Sequence, residues 1–326
     1  MDFNLTSLSF LNESKFNSID TSKVYDIVII GGGPAGLTAA VYAMRKGASV
    51  ALIAKHAGGQ VAETSGIENY MGYRYINGLE LVDKFKDQVL HFTIDYDEGG
   101  EVEAIEDEGI KKVLLKDGRI IKSKSLIIAS GKRWRKLGVK GEDEFIGKGV
   151  AYCSICDAPF FAGKKVVVVG GGNSGVEAAI DLAKVAKEVI VIQNLDKLTA
   201  DKILIDKLNS FTNVNFLYKT VVREIIGDSF VKTILIENTE LLQKSEIDVD
   251  GIFIEIGLVP NSDFVRGVVE LNSNGEIIVD CSCSTSARGI FAAGDVTSVP
   301  FKQIIIAAGE GAKAALSAWE YLLNEE

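Results

Sequence analysis

Apolar residues recur along the chain in short runs. Residues 24–30, VYDIVII, form a run of strand length with the density expected of a strand buried on both faces. It is followed by Gly31-Gly32-Gly33-Pro34-Ala35-Gly36 and by an alanine-rich apolar stretch that reads as a helix to about Lys46, and then by a second strand-like run, SVALIA, at 49–54. The same order returns 139 residues later: KKVVVV at 164–169, then Gly170-Gly171-Gly172-Asn173-Ser174-Gly175, a helix, and EVIVIQ at 188–193. In each copy the second strand begins 18 residues after the first glycine, and Ala39/Ala178, Ala40/Ala179, Val50/Val189 and Ile53/Ile192 coincide under the shift. A lone GxGxxG is weak evidence. Two in register, each between a strand and a helix, predict an α/β chain with two Rossmann-like dinucleotide-binding units.

The glycines have steric and electrostatic reasons. The first permits the tight turn, the second lets backbone approach a pyrophosphate, and the third allows close helix–strand packing. The helix N-terminus then offers unpaired N–H groups and the positive end of its dipole to phosphates. Such sites usually carry an Asp or Glu at the end of the second strand to hold ribose hydroxyls. Here those positions are Ala54-Lys55 and Gln193-Asn194, so neither copy has the acid. The motif predicts the fold and leaves the identity of each nucleotide open.

Composition narrows the function classes. The 326 residues are 47% hydrophobic and 25% charged, enough for two ordinary domains and unlike a disordered chain. No apolar run approaches ~18 residues, so no membrane span is expected. A net charge of −10 argues against nucleic acid. Residues 1–24 lack a basic region followed by a continuous apolar core, so they are expected to be an arm rather than a secretory signal, and the cytoplasm is the default compartment.

Four cysteines fall into two close pairs. Cys153-Ser154-Ile155-Cys156 is a CxxC followed at once by Asp157. Beside βαβ units this reads as redox chemistry, because neighbouring thiols close into a disulfide and reopen. The other reading is half a zinc site, which needs ligands from Cys281 and Cys283 across a long separation; with only two histidines, His56 and His91, no metal site is expected. Asp157 has two readings: an acid–base group for thiol–disulfide exchange, or a cap on the segment entering Ala158-Pro159. Cys281 and Cys283 lie in IIVDCSCSTS, whose alternation predicts a strand with both side chains on one face, either a second redox pair or plain small strand residues.

Taken together, GGGPAGLTAA, GGQVAETSGIENYMG, YCSICDAPFF, GGGNSGVEAA and GIFAAGDVTSVPFKQIIIAAGEGAKAA resemble the low-molecular-weight thioredoxin reductases, from about Val24 to the C-terminus. A related ferredoxin–NADP reductase group shares the architecture without the CxxC. The resemblance implies the pyridine nucleotide-disulfide oxidoreductase fold, with an FAD domain split into 25–137 and 260–326 and a central domain, 138–259, inserted and carrying the cysteines. It implies FAD held by Gly31, Gly33, Ala35 and Gly36 at the pyrophosphate and by Gly59, Gln60 and Asn69 nearby. Val102 would lie by the adenine, Gly131 near the cofactor, and Asp295 of the Ala293-Gly294-Asp295 motif at the ribitol. Gln303 and Ile304 would start the helix facing the flavin. Cys153 and Cys156 would be the redox disulfide and Asp157 the acid–base group. Gly170, Gly172 and Gly175 would serve a nicotinamide nucleotide. The resemblance further implies a homodimer whose domains rotate about hinges such as Gly138–Gly141 and Gly257–Pro260, and a thioredoxin-like partner.

The sequence departs from the family where NADPH is recognised. The family's arginines, suited to clamping a 2′-phosphate, are replaced by Gln193-Asn194-Leu195-Asp196-Lys197-Leu198-Thr199-Ala200. Three donors stay open: NADH, with Gln193 or Asn194 on the free ribose hydroxyls; NADPH bound weakly; or a different carrier such as reduced ferredoxin. The run Lys132-Arg133-Trp134-Arg135-Lys136, with Lys140 beyond it, reads either as a dock for an acidic carrier or as a solvated loop. Besides a thioredoxin-type reductase, a flavin oxidoreductase that bypasses the cysteines and a non-enzymatic redox-sensing protein are the alternatives.

Overall fold

The structure, a computed structural model, describes residues 16–63 and 67–325, without the side chains of Glu63, Ile155 and Cys156. It divides into two units. The first comprises Ile67–Lys132, Pro260–Glu326 and the chain up to Glu63; the second is Arg133–Val259.

In the first unit, strands β1 (Phe16–Asn17), β2 (Val24–Ile30), β3 (Val50–Ala54), β4 (Ile94–Glu98), β5 (Val102–Glu108), β6 (Ile110–Leu115) and β7 (Ile120–Ile128) form one sheet in the order β1-β4-β3-β2-β7-β6-β5, and β18 (Ile290–Ala292) pairs with β7. The pairs from β1 through to β7, and β7 with β18, are parallel, while β5, β6 and β7 form an antiparallel meander. Alternation explains why β2 carries apolar residues on both faces. Ile27 and Ile29 join the core under helices α1 (Pro34–Arg45) and α6 (Ile304–Glu325), while Val28 and Ile30 join the core on the meander side. Asp26 interrupts this strand without penalty, because its carboxylate accepts from the Ser49 N–H and hydroxyl and pairs with Lys124 at 2.8 Å. Helices α1 and α6 meet through small residues, and a Cβ on Gly311 would lie 2.0 Å from the Ala35 carbonyl oxygen. Helix α2 (Gly78–Leu90) is capped by Asn77, whose side chain accepts from the Leu79 N–H. Part of the expected arm is the edge of this sheet: Phe16 and Asn17 pair with Ile94 and Asp95, and residues 1–15 lie outside the described residues.

The second unit repeats the plan. Its five-stranded parallel sheet has the order β12-β11-β10-β16-β9, from β9 (Val150–Ala151), β10 (Lys165–Val169), β11 (Glu188–Ile192), β12 (Val214–Leu217) and β16 (Gly251–Ile254). Helices α3 (Ser154–Asp157), α4 (Asn173–Ala183) and α5 (Lys202–Leu208) also belong to this unit. Val166 and Val168 join one core with α4, and Val167 and Val169 join the core of the antiparallel meander β13 (Thr220–Gly227), β14 (Val231–Asn238) and β15 (Gln243–Asp248). In both units a meander follows the parallel strands in chain order, after β4 and after β12. The strand that next pairs in parallel beside the one ahead of the glycine turn is β7, the last of the meander, in the first unit and β16, just after the meander, in the second. The duplication therefore runs beyond the glycine turns, although the offset falls from 139 residues (Ile30 to Val169) to 126 (Ile128 to Ile254). The chain crosses between units along β8 (Lys132–Trp134) and returns along β17 (Leu258–Pro260), which pair with each other. Among the described residues no helix is long and apolar enough to cross a membrane.

The most deeply placed aromatic ring of the second unit offers a test of this packing. Phe253 is fully buried and meets Phe161 edge-on at 5.1 Å. Phe253→Ala is expected to lower the stability of this unit by about 3–5 kcal/mol, measured by urea unfolding through Trp134 in a Trp319→Phe background. A loss below about 1 kcal/mol would contradict the packing described.

Candidate active site: two glycine turns and a cysteine pair

The four glycines of the first turn are not equivalent. A Cβ on Gly31, at φ +118°, would lie 2.1 Å from the Ala129 carbonyl oxygen, and one on Gly36 would lie 1.8 Å from that of Gly31. A Cβ on Gly32 would meet the Ala54 methyl at 2.7 Å. Those three are required by the protein's own packing. At Gly33 a Cβ would meet nothing within 4 Å among the described residues, and a Cβ on Gly59 would lie 3.6 Å from the Gly33 Cα. Gly33 is also the N-cap of α1, which has no side-chain cap and no acid in its first turn. Its leading N–H groups are therefore left for an anion.

Other expected residues of the first unit gather around this turn. Gly294, at φ +77°, would place a Cβ 3.0 Å from that of Ala35, and its N–H donates to Glu310 Oε2 at 2.7 Å. Burial pushes the Glu310 carboxyl above its ordinary range, against the pull of the Gly294 N–H and of Lys313 and Lys302. Asp295 is also raised by burial, with Lys302 and Lys132 pulling the other way, and its carboxylate has no hydrogen-bond partner among the described residues. Asn69 Nδ2 donates to Gln303 Oε1 at 3.0 Å, just ahead of Ile304, the first residue of α6. Gln60 lies in the 3₁₀ turn Gly59–Glu63. Gly131, at φ +66°, follows β7 and accepts from the Asn261 N–H at 3.0 Å, and Val102 begins β5, packed against the core of the meander side.

The second turn copies the first in backbone and differs in side chains. A Cβ on Gly170 would lie 2.1 Å from the Glu255 carbonyl oxygen, one on Gly175 would lie 2.2 Å from that of Gly170, and one on Gly172 would meet only Thr199 Oγ1, at 3.9 Å. Where the first unit has Ala54, the second has Gln193, which folds over Gly171. Its Nε2 donates to the Lys197 carbonyl at 3.3 Å and its Oε1 accepts from the Asn194 N–H at 3.2 Å. Gln193 is thus buried and committed to its own turn, while Asn194, Asp196 and Lys197 are exposed. Asn173 exchanges hydrogen bonds with Asp201, and the Ser174 hydroxyl donates to Glu255 Oε2 at 3.2 Å. Burial is the chief cause that pushes the Glu255 carboxyl up to about 7, against hydrogen bonds from Ser174 and the Ser154 N–H and with some help from Glu177. Glu255 escaped the sequence reading; its one signal is a lone acid in the apolar run GIFIEIG.

Cys153 is disulfide-bonded, and the side chain of Cys156 lies outside the described residues. Asp157 ends α3, its N–H donating to the Cys153 carbonyl at 3.1 Å. It holds the N-cap position of the 3₁₀ turn Ala158–Phe161, but its side chain makes no capping bond there. Burial raises its carboxyl above the ordinary range. The expectation for Cys281 and Cys283 is corrected: they lie in a turn, where Asp280 Oδ1 accepts from the N–H groups of Ser282 and Ser284. Cys281 faces out, Cys283 is buried at φ +64°, and both are free thiols. Among the described residues no group of three or more His, Cys, Asp or Glu could hold a metal. Within the basic run, Lys132 pairs with Glu276 at 2.6 Å, Lys136 with Asp143 at 2.5 Å and Lys140 with Glu224 at 2.7 Å. Of the expected hinges, Gly138 gives its N–H to buried Glu142, and a Cβ on Gly141 would lie 2.0 Å from the Ile225 carbonyl oxygen.

The family model of the pyridine nucleotide-disulphide oxidoreductases matches residues 25–311. The chain belongs to that family. Its solved neighbours include thioredoxin reductase from Streptococcus pyogenes, 42% identical with a TM-score of 0.74, covering 92% of this chain and 99% of that one. Among curated relatives, the F component of alkyl hydroperoxide reductase from Pseudomonas putida is 44% identical over 94% of this chain and 60% of its own length. An NADH dehydrogenase of Ferdinandcohnia aciditolerans is 44% identical over 92% of this chain and 58% of its own. The chain thus spans about three-fifths of the length of the curated relatives it matches. Members of the family are FAD-binding oxidoreductases that work with NAD(P)H.

The first unit fits FAD. The cradle at Gly33 and the uncapped start of α1 suit a pyrophosphate, and the unpartnered Asp295 carboxylate suits a sugar-alcohol hydroxyl. Two glycines separate this role from folding. Gly36→Ala is expected to destabilise the unit severely, whereas Gly33→Ala should leave the melting temperature of apoprotein within a few degrees of wild type and lose most bound FAD, read from flavin absorbance after gel filtration. Equal FAD content in Gly33→Ala and wild type would contradict this placement.

Glu255 carries its own pH signature. Its carboxyl binds a proton more tightly folded, at about 7, than at its ordinary 4.5, so its contribution to stability falls as pH rises through that window. Glu255→Gln is therefore expected to gain about 1–3 kcal/mol over wild type near pH 8 and little near pH 4, in urea denaturation at both. An equal difference at both would show that Glu255 titrates normally.

Proposed function

We propose that the chain is a thioredoxin-disulfide reductase, passing electrons from a donor through FAD and the Cys153–Cys156 disulfide to a thioredoxin-like protein. The observation that carries this reading is the disulfide-bonded Cys153 with Asp157 one helical turn past it at the end of α3, half-buried and uncapped. The likeness to thioredoxin reductase of Streptococcus pyogenes over nearly the whole of both chains supports it. The reading includes a homodimer in the cytoplasm, on the strength of the family motifs.

Bound FAD supplies the two-electron relay between donor and disulfide. In the reduced protein, the Cys153 thiolate attacks the partner's disulfide, forming a mixed disulfide and releasing one partner thiolate. Cys156 then attacks the Cys153 sulfur, releasing the second partner thiolate and restoring the Cys153–Cys156 bond. Two electrons and two protons pass to the partner. Burial raises the Asp157 carboxyl above its ordinary range, and this reading gives it the transfer of a proton to the departing thiolate.

The test is independent of the donor. Protein reduced with stoichiometric dithionite is mixed with oxidised thioredoxin, and free thioredoxin thiols are followed in a single turnover. Cys153→Ser and Cys156→Ser are each expected to slow the transfer by at least about a hundredfold with FAD content unchanged. Asp157→Asn should slow it roughly a hundredfold with the disulfide still formed. Transfer at the wild-type rate in the double Ser variant would overturn the proposal in favour of a flavin oxidoreductase that bypasses the cysteines.

A further inference from the structure

The two glycine turns share a backbone and differ in charge. At the first, the opening residues of α1 are Pro34 and Ala35, and the carbonyl under the first glycine belongs to Ala129, whose side chain is a methyl. At the second, the opening residues of α4 are Asn173 and Ser174, and each is bonded to a carboxylate. Asn173 holds Asp201 at 3.0 Å and Ser174 holds Glu255 at 3.2 Å. Glu255 occupies the position of Ala129: its carbonyl oxygen lies where a Cβ on Gly170 would come within 2.1 Å. The strand-end position that would reach a ribose is taken by Gln193, turned inward onto its own loop, and Lys197 is the sole cation of the stretch 193–200.

We propose that Glu255 determines donor specificity: its carboxylate stands at the start of α4, where a dinucleotide's pyrophosphate would otherwise bind, and so turns the chain away from NADH and NADPH toward a donor that places no phosphate there. The inference deepens the reductase reading and rests on the second glycine turn being the pyridine nucleotide unit. The physical ground is like-charge repulsion in a half-buried setting. The Ser174 hydroxyl and the first-turn N–H groups are the donors a pyrophosphate needs, and the hydroxyl is already spent on an anion supplied by the protein. The second nucleotide of this family therefore does not fit the residues present, whereas FAD fits the first turn.

The Ser154 N–H, one residue beyond Cys153, also favours the charged form of this carboxylate, so removing the side chain outright would alter the surroundings of the cysteine segment as well. Glu255→Gln keeps an acceptor for both Ser154 and Ser174 and removes only the charge, and Glu255→Asp keeps the charge. The experiment is isothermal titration of the FAD-loaded protein with NADH, NADPH and ADP-ribose at a pH of about 8.5, where a carboxyl of this kind is ionised. Wild type and Glu255→Asp are expected to bind all three at about millimolar Kd or weaker, and Glu255→Gln at least tenfold tighter, a change of about 1.4 kcal/mol. Binding by Glu255→Gln within threefold of wild type, or tightening of Glu255→Asp to match it, would overturn the inference. Because no turnover is measured, its failure is separate from failure of the reductase reading, which stands or falls on single-turnover transfer through Cys153.

Discussion

Everything in this fold that bears on chemistry depends on one close approach, repeated in each unit. A strand-end carbonyl, of Ala129 in one and Glu255 in the other, lies about where the side chain of the first turn glycine would begin. Only a residue without a Cβ closes that turn, and φ near +120° at Gly31 and Gly170 favours glycine again. Once closed, the turn aims a helix start away from the sheet edge with its N–H groups unused. The parallel order of β3-β2-β7 and of β11-β10-β16 then follows, because a strand, a tight turn and a crossover helix leave the chain no other direction of return.

What the turn does is decided by residues that the backbone does not constrain. Ala54 and Gln193 are equivalent by position, as are Ala129 and Glu255, yet the first of each pair is a methyl and the second a polar group. In the first unit these methyls leave the cradle at Gly33 neutral and open. In the second, an amide folds across Gly171 and a carboxylate meets the helix start. A duplicated scaffold has thus kept the steric part of dinucleotide recognition in both copies and its electrostatic part in one.

The legible part of this protein is the part buried on both faces. The runs at 24–30, 49–54, 164–169 and 188–193 became β2, β3, β10 and β11 within a residue at each end, since parallel strands under helices have no polar alternation to confuse them. The repeat of the meander was not legible, because its offset differs from that of the turns. The run around Cys281 and Cys283 alternates as a strand would, but Asp280 bonds two backbone N–H groups beyond it and makes a turn instead. Buried carboxylates were the largest omission. Nothing in one dimension marks Glu142, Glu255 and Glu310 apart from other acids, and only the fold shows the groups they meet: the N–H groups of Leu137 and Gly138, the Ser174 hydroxyl and the Gly294 N–H.

Among those carboxylates Glu255 is set apart by what it joins. Glu142 ties Leu137 and Gly138 to the Tyr152 hydroxyl, and Glu310 fixes the Gly294 N–H; each completes a local structure. Glu255 instead meets a functional segment of its unit, the start of α4, through Ser174, and the Ser154 N–H at the start of α3 favours its charged form. A carboxylate so placed costs stability when ionised, since burial is the dominant influence on it, and two hydrogen bonds only partly offset that cost. A methyl at the same position serves the first unit without that cost. A charge that burial disfavours, meeting the start of α4 through Ser174 where the first unit has a methyl, is the physical argument that Glu255 acts in the chemistry of this unit rather than in its folding.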